Sequence, residues 1–348
     1  MHDRQEVSRV RYEQGGTAES TGGVSDPLEV AVTGAAGYIG SAVVNLFRKR
    51  HPEWSITALD NFYRGDVRQI GDVAVDHVDV RHRDRLETAL AGSDVVVHLA
   101  AISGVDDCRT NPDLAHEVNV LGTANVAWFC RKHGAALAFP FSMAVLGDPA
   151  SFPVTVEQPR DPMNWYGRTK VLGEELIETY ADGAFPAHLF MKSNLYGEHV
   201  VGESVVSKGT VINFFVGRAL EGEPMTVYEP GTQARNYLHV EDVALLYLKS
   251  VERFATQLAD GETGVERYAV GSDEDPSVMA VAETVQDVAA SYGSTASIEL
   301  VENPRADDET LVESFGVDAS GARETLGWRP ERTIRDAVEE AFERELDD

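Results

Sequence analysis

Apolar and polar positions change their period repeatedly along the first half of the chain. Leu28 to Thr33 is a short β-branched apolar run that meets a glycine-rich turn and passes into the helical pattern Ile39 to Arg50. The spacing then predicts strands at Ser55 to Leu59 and Val73 to Val78, a helix over Arg83 to Ala91 and a strand at Asp94 to His98. A helix around Leu114 to Lys132, a strand at Ala136 to Phe141, a helix over Trp165 to Tyr180 and a strand at His188 to Met191 follow. Strands that alternate with helices build a parallel sheet covered on both faces, with right-handed crossovers. The expected fold class is therefore α/β, a doubly wound parallel sheet. After Ser193 the rhythm becomes irregular, with helical patterns near Val211 to Leu220, Val240 to Phe254, Val278 to Tyr292 and Ile334 to Leu346. These read as a smaller α/β lobe that binds substrate. The expected division is a disordered tail over 1–27, a nucleotide-binding domain over 28–192 with 236–255 returning to it, and the lobe over 193–235 and 256–348.

Composition narrows the classes. No apolar run approaches the roughly 18 to 20 residues of a membrane span. The stretch from Met1 to Pro27 is polar and Gly/Ser-rich without an apolar export signal, so a cytoplasmic protein is expected. Cys108 and Cys130 are the only cysteines and show no metal-ligand spacing, which suggests neither a disulfide framework nor a metal site. The net charge of -28 is spread along the whole chain, and the 30 basic residues include only six lysines. Acidic self-repulsion of this size is tolerable where salt screens it, which points to an extreme halophile as the source. With no basic stripe to neutralise phosphates, a nucleic-acid partner is disfavoured.

Two constellations carry chemistry. Thr33-Gly34-Ala35-Ala36-Gly37-Tyr38-Ile39-Gly40 places glycines where a backbone must turn tightly, approach a pyrophosphate and let a helix pack on a sheet, as in a Rossmann fold. Asp60, with Asn61 after it, ends the next strand twenty residues beyond Gly40. An acid there accepts hydrogen bonds from the adenosine ribose and repels a 2'-phosphate, so NAD is favoured over NADP. The second constellation is Tyr166-Gly167-Arg168-Thr169-Lys170, which puts a phenol and an ammonium four positions apart on one helix face. A nearby cation stabilises a phenolate, which a tyrosine needs to act as a base near neutral pH. Ser142 closes the strand Ala136 to Phe141 at the carboxyl edge of the sheet and could bond the same substrate oxygen as Tyr166.

On these residues the chain resembles the extended short-chain dehydrogenase/reductase family, in particular its nucleotide-sugar epimerases, from about Leu28 to Pro330. Further motifs carry the resemblance. Asp79-Val80 is similar to the family's adenine contact, Leu99-Ala100-Ala101 after His98 to its fourth-strand segment beside the cofactor, and Asn119 to an asparagine of the central helix. Ser142 to Gly147 is similar to the catalytic serine/threonine segment, and Asn194-Leu195-Tyr196-Gly197 to a segment with a substrate-binding asparagine. Gly231 to Asp242 resembles the nucleotide-phosphate segment, with Arg235 as diphosphate ligand, and Arg305 resembles a second phosphate arginine. Phe315 holds the place that borders the sugar's C2 substituent. The resemblance implies catalytic Ser142, Tyr166 and Lys170, the last two also touching the cofactor, and a UDP-sugar or related substrate. It also implies a homodimer that pairs the helices near Leu114 to Lys132 and Trp165 to Tyr180.

Three positions depart from the family pattern: Leu146 where tyrosine is usual, Met191 where an arginine commonly stands, and Ser103 where some epimerases carry a cofactor-contacting lysine. Related dehydratases and decarboxylases use residues just after the catalytic serine/threonine, notably a glutamate two positions on. Met143 and Ala144 stand there and cannot transfer protons. The expected reaction is therefore 4-epimerisation, interconverting UDP-glucose and UDP-galactose through a 4-keto sugar. A dehydratase, a decarboxylase or a noncatalytic NAD-binding regulator are the alternatives.

Overall fold

The computed structural model describes residues 27–303 and 311–347. Nearly all of the expected tail, and Arg305, lie outside the described residues. The chain opens with β1 (Glu29–Thr33), α1 (Tyr38–Arg50), β2 (Ser55–Asp60), β3 (Gln69–Ile70), β4 (Val73–His77), α2 (Arg83–Leu90) and β5 (Val95–His98). Next come α3 (Val105–Thr110), α4 (Pro112–His116), a π-helical turn over Glu117–Gly122, α5 (Thr123–His133) and β6 (Ala136–Ser142). A 3-10 turn over Met143–Val145, α6 (Trp165–Ala181) and β7 (Pro186–Lys192) complete the alternating half. The single helix expected over Leu114 to Lys132 is thus broken by the π turn, a form of distortion that often accompanies functional sites.

Eight strands form one sheet in the order β13, β7, β6, β5, β1, β2, β4, β3, where β13 is Gly264–Val270. All neighbours are parallel except the edge pair of β3 and β4. The chain runs outward from β1 through β2 to β4 and then crosses back to β5, so β1 and β5 flank the point where winding reverses. In such sheets the carboxyl ends of the strands at that point open a crevice for ligands.

The central strands are buried on both faces, which is why they read as continuous apolar runs: β5 and β7 are buried throughout. One face is covered by α1 and α8 (Val240–Asp260), with Phe47, Leu246, Phe254 and Trp328 fully enclosed. The other is covered by α2, α5 and α6, with Phe129, Phe139 and Leu189 enclosed. Each such side chain contributes about 2 kcal/mol of burial.

Beyond β7 the chain builds β8 (Asn194–Tyr196), β9 (His199–Val201), β10 (Ser204–Val206), α7 (Val211–Leu220), β11 (Met225–Tyr228) and β12 (Tyr237–His239). After α8 and β13 come α9 (Val278–Ser291), β14 (Ile298–Val301), α10 (Ser320–Leu326) and α11 (Ile334–Asp347). Phe215, Val285, Val338 and Phe342 form a separate smaller core between α7, α9 and α11. Two parts of the stretch 256–348 go elsewhere: β13 extends the large sheet beside β7, and Ala322 and Trp328 pack in the core under α8. The sheet continues past β7 because Val265 to Val270 offers a partner strand to a β7 that is apolar on both faces. A two-stranded parallel pair, β8 with β12, leads directly from the end of β7 into the smaller lobe.

Candidate functional site

The cofactor end of the cleft is made of backbone. Gly34 has φ of 74°, and a Cβ there would stand 2.6 Å from the Ala100 nitrogen, so the turn after β1 can lie against the segment after β5 only without a side chain. Gly37 caps α1 without any side-chain hydrogen bond, which leaves the first N–H groups of that helix for a ligand. Tyr38, Ile39 and Gly40 form the first turn of α1. Asp60 closes the cradle: its carboxylate accepts the Ala36 N–H at 3.0 Å and the Phe62 N–H at 2.7 Å. Burial pushes its pKa up, and those backbone N–H groups oppose the rise. A turn too tight for side chains, an uncapped helix start and an acid at the end of the second strand fit a dinucleotide.

The other expected cofactor residues group around this turn. Asn61 donates to Asp79 at 3.1 Å, and although burial opposes it, hydrogen bonds from Arg81 and Asn61 hold Asp79 well below the usual carboxylate range. Val80 is buried beneath them. The Leu99 N–H donates to the Thr33 carbonyl at 3.0 Å and the Ala100 N–H to the Thr33 hydroxyl at 3.3 Å, so Leu99 to Ala101 leave the sheet beside the glycine turn. Two residues have an internal occupation. The Tyr38 hydroxyl donates to the carbonyls of Tyr196 and Gly197, joining α1 to the segment after β8. The buried Asn119 accepts from the Ile102 N–H at 2.8 Å and donates to the Ile102 carbonyl and the Thr169 hydroxyl, both at 3.0 Å. It braces the loop after β5 and α6 together.

At the reacting end, Asn164 caps α6 by accepting the Gly167 N–H at 2.9 Å. That cap sets the helix register and so puts Tyr166 and Lys170 one turn apart. A Cβ at Gly167 would lie 2.5 Å from the Ala144 carbonyl oxygen, so only glycine lets α6 press against the turn that follows Ser142. Ser142 and Tyr166 are in consequence close enough for the serine hydroxyl to influence the phenol. Lys170 is 4% exposed, donates to the Pro140 carbonyl at 3.3 Å, and stands 6.0 Å from the centre of the Tyr166 ring. Burial first, then the Cys108 thiol, push the Tyr166 phenol up to about 12, against the opposing influence of the Ser142 hydroxyl. Burial likewise lowers the Lys170 ammonium to about 8. The cation expected to hold the phenolate is in place, but in this state desolvation dominates both groups.

The sugar side is assembled from β8 and β12. The Asn194 side chain donates to the Asn236 carbonyl at 3.3 Å, which brings it beside Arg235. Arg235 is half-buried, with its guanidinium on the Ala234 carbonyl at 2.8 Å and its N–H on Pro276. The Phe315 ring packs edge to face on Phe152, 5.1 Å between centres, and its N–H donates to Asp275 at 2.7 Å. Those contacts are the ordinary packing of a loop.

Three features have contacts that no local sequence pattern states. His98 sits between the hydroxyls of Thr33, 2.7 Å from Nδ1, and Thr123, 3.1 Å from Nε2, and burial followed by the charge of Lys170 lowers its pKa to about 3. Lys208 donates to the Ser103 hydroxyl at 3.2 Å, so a lysine reaches by another route the position where some epimerases carry one in the chain. Lys192 closes β7, in register with Ser142. The rarity of lysine in this chain was the one available signal.

The sequence model of the NAD dependent epimerase/dehydratase family matches residues 30–265. A UDP-glucose 4-epimerase of Corynebacterium glutamicum is 29% identical over 333 residues, covering 90% of this chain and 95% of that protein. The UDP-glucuronic acid decarboxylase 6 of Arabidopsis thaliana is 26% identical over 318 residues, covering 89% of this chain and 87% of that protein. The fold is similar to that of a UDP-glucose 4-epimerase of Stenotrophomonas maltophila solved with NAD and formylated UDP-arabinopyranose: TM-score 0.79, 23% identity, 92% of this chain and 99% of that one.

Proposed function

The chain belongs to the NAD dependent epimerase/dehydratase family, with NAD as its cofactor, and within that family we propose that it is a nucleotide-sugar 4-epimerase. The observation that carries the reading is the turn after Ser142. Met143 is buried there and the Ala144 N–H donates to the Ser142 hydroxyl at 3.2 Å, so the positions that supply an extra acid or base in dehydratases and decarboxylases hold no proton-transferring group. What remains is a serine, a tyrosine and a lysine, the set that oxidation and reduction of one carbinol requires.

In this mechanism Gly34, Gly37 and the start of α1 hold the pyrophosphate, and Asp60 the adenosine ribose. NAD, when bound, would supply the acceptor for the hydride at sugar C4. Ser142 orients the C4 hydroxyl and Tyr166 takes its proton, a transfer worth about 10² to 10⁴ in rate. Lys170 holds the resulting phenolate, and Tyr166 returns the proton once the 4-keto sugar has presented its other face. Asn194 and Arg235 anchor the nucleotide diphosphate end while the sugar turns, bidentate arginine being suited to phosphate. The exposed Leu121 on the π turn, Trp128 on α5 and Leu172 on α6 fit the homodimer implied by the resemblance.

The reading is tested by incubating the purified protein and NAD with UDP-, dTDP- and GDP-sugars and identifying products, with UDP-glucose and UDP-galactose as the first pair. Conversion of a sugar to its C4 epimer is the expected result. A 4-keto-6-deoxy sugar, a pentose or no sugar-dependent turnover would each contradict it.

A further inference from the structure

Six lysines serve this chain, and the charges of two of them, Lys170 and Lys208, reach a third, Lys192. Two of the three have clear occupations, Lys170 beneath Tyr166 on the Pro140 carbonyl and Lys208 on Ser103. Lys192 has none. It is 7% exposed, and among the described residues its ammonium has neither a hydrogen-bond partner nor an ion pair.

A chain with 58 carboxylates could easily have placed one beside it. A buried cation without a counter-ion is strongly unfavourable, more so with two further cations near. Burial first, then Lys170 and Lys208, press the Lys192 ammonium down to about 7. An anion brought by a ligand would reverse that cost. The adjacent Ser193 hydroxyl is buried without a partner, so a second donor stands unused at the same strand end.

Place in the fold decides which anion. The cofactor pyrophosphate belongs at the start of α1, and the substrate diphosphate at Asn194 and Arg235. Lys192 pairs in register with Ser142, at the end of the cleft where the carbinol reacts. An anionic group there has to be a substituent of the sugar ring itself. We propose that the sugar carries a carboxylate, as in a nucleotide-linked uronic acid, and that Lys192 is the residue that binds it. The inference rests on the nucleotide-sugar reading above and narrows its substrate class. In a uronic acid the carboxylate hangs from C5, next to the reacting C4, which is the separation that neighbouring strand ends can span.

Equilibrium binding to the NAD-loaded full chain in a Tyr166→Phe background decides the matter without turnover. UDP-glucuronate should bind about ten-fold to a hundred-fold tighter than UDP-glucose, the worth of a hydrogen bond to a charged group. Lys192→Met should bring that ratio close to one, and Lys192→Arg should keep most of it, which separates lost recognition from lost folding. Equal affinities in the Lys192-containing protein would overturn the inference. So would a Lys192→Met change that weakens both sugars alike, since Lys192 would then serve the cofactor or the fold. Product analysis of wild-type protein is the separate arm: if UDP-glucuronate binds by Lys192 yet yields no C4 epimer, the epimerase reading fails and the carboxylate site stands. If UDP-glucose is epimerised and UDP-glucuronate is not preferred, the epimerase reading stands and the carboxylate site fails.

Discussion

At the β1 to α1 end of the cleft, Gly34, Gly37 and Gly40 keep side chains out of a backbone cradle, whereas at the opposite end Ser142, Lys192 and Asn194 bring side chains from three different strands. The first end is built by exclusion and is contiguous in sequence. The second is built by convergence, with Ser142 and Lys192 paired across 50 residues and Asn194 and Asn236 across 42. The difference implies that the two ends can be damaged separately, one losing cofactor and the other losing chemistry.

The largest expected effect breaks the reacting end alone. Tyr166→Phe should lower turnover by about 10³ while NAD binding and melting temperature stay close to wild type, because only the proton-transferring oxygen is removed. Activity within about ten-fold of wild type would remove Tyr166 from the proposed role. Lys170→Ala should cost about 10² in turnover, since the phenolate loses its cation. A pH–rate profile sharpens this: the wild-type profile should change slope near the Lys170 value of about 8, and the variant should lack that inflection. An identical profile in both would assign the inflection elsewhere.

Gly34→Ala tests the other end. The left-handed backbone and the 2.6 Å approach to Ala100 predict about 1 to 2 kcal/mol of lost stability and NAD affinity weakened at least about ten-fold. With NAD saturating, turnover should largely recover, in contrast to Tyr166→Phe. Failure to recover would mean that the cradle also shapes the reacting end.

Acid should weaken both ends together. His98 near the glycine turn, His188 on β7 and His239 at the start of α8 are held neutral by burial, with pKa values lowered to about 3. Burial lowers His199, 2.9 Å from Ser41, to about 4. Their folded values lie below the unfolded one of 6.5, so their contribution to stability is full above pH 6.5 and is lost as pH falls toward 4. At pH 5.5 each should have given up roughly 1 kcal/mol. Asp242, raised to about 6 by burial, and Asp60, also raised by burial, oppose this, two groups against four. A melting temperature unchanged between pH 7.5 and 5.5 would show that these histidines take up protons inside the fold.

The contrast between the two ends also explains what could be read in the chain. The glycine turn, Asp60 and the strand–helix alternation follow from local sterics and period, and the sheet contains them as expected. The π turn at Glu117–Gly122 was hidden because an inserted residue leaves an apolar helical pattern nearly intact. β13 was missed because Gly264 to Arg267 is only partly buried, an edge strand with little period of its own. Tyr166, Lys170 and Ser142 were legible as residues, but their contact depends on Gly167 lying against Ala144, which no local pattern states. Lys192 was passed over because an isolated lysine at a strand end looks solvated until its neighbours prove to be two other lysines.

In the proposed mechanism one carbinol is oxidised and then reduced on its other face, with Tyr166 moving the proton. The most direct test uses a nucleotide sugar carrying deuterium at C4, incubated with the NAD-loaded protein in ordinary water. A C4 epimer that retains the deuterium at C4 is expected, formed by wild type and not by Tyr166→Phe. Epimer in which the label has exchanged for solvent hydrogen, or equal formation by both proteins, would contradict it.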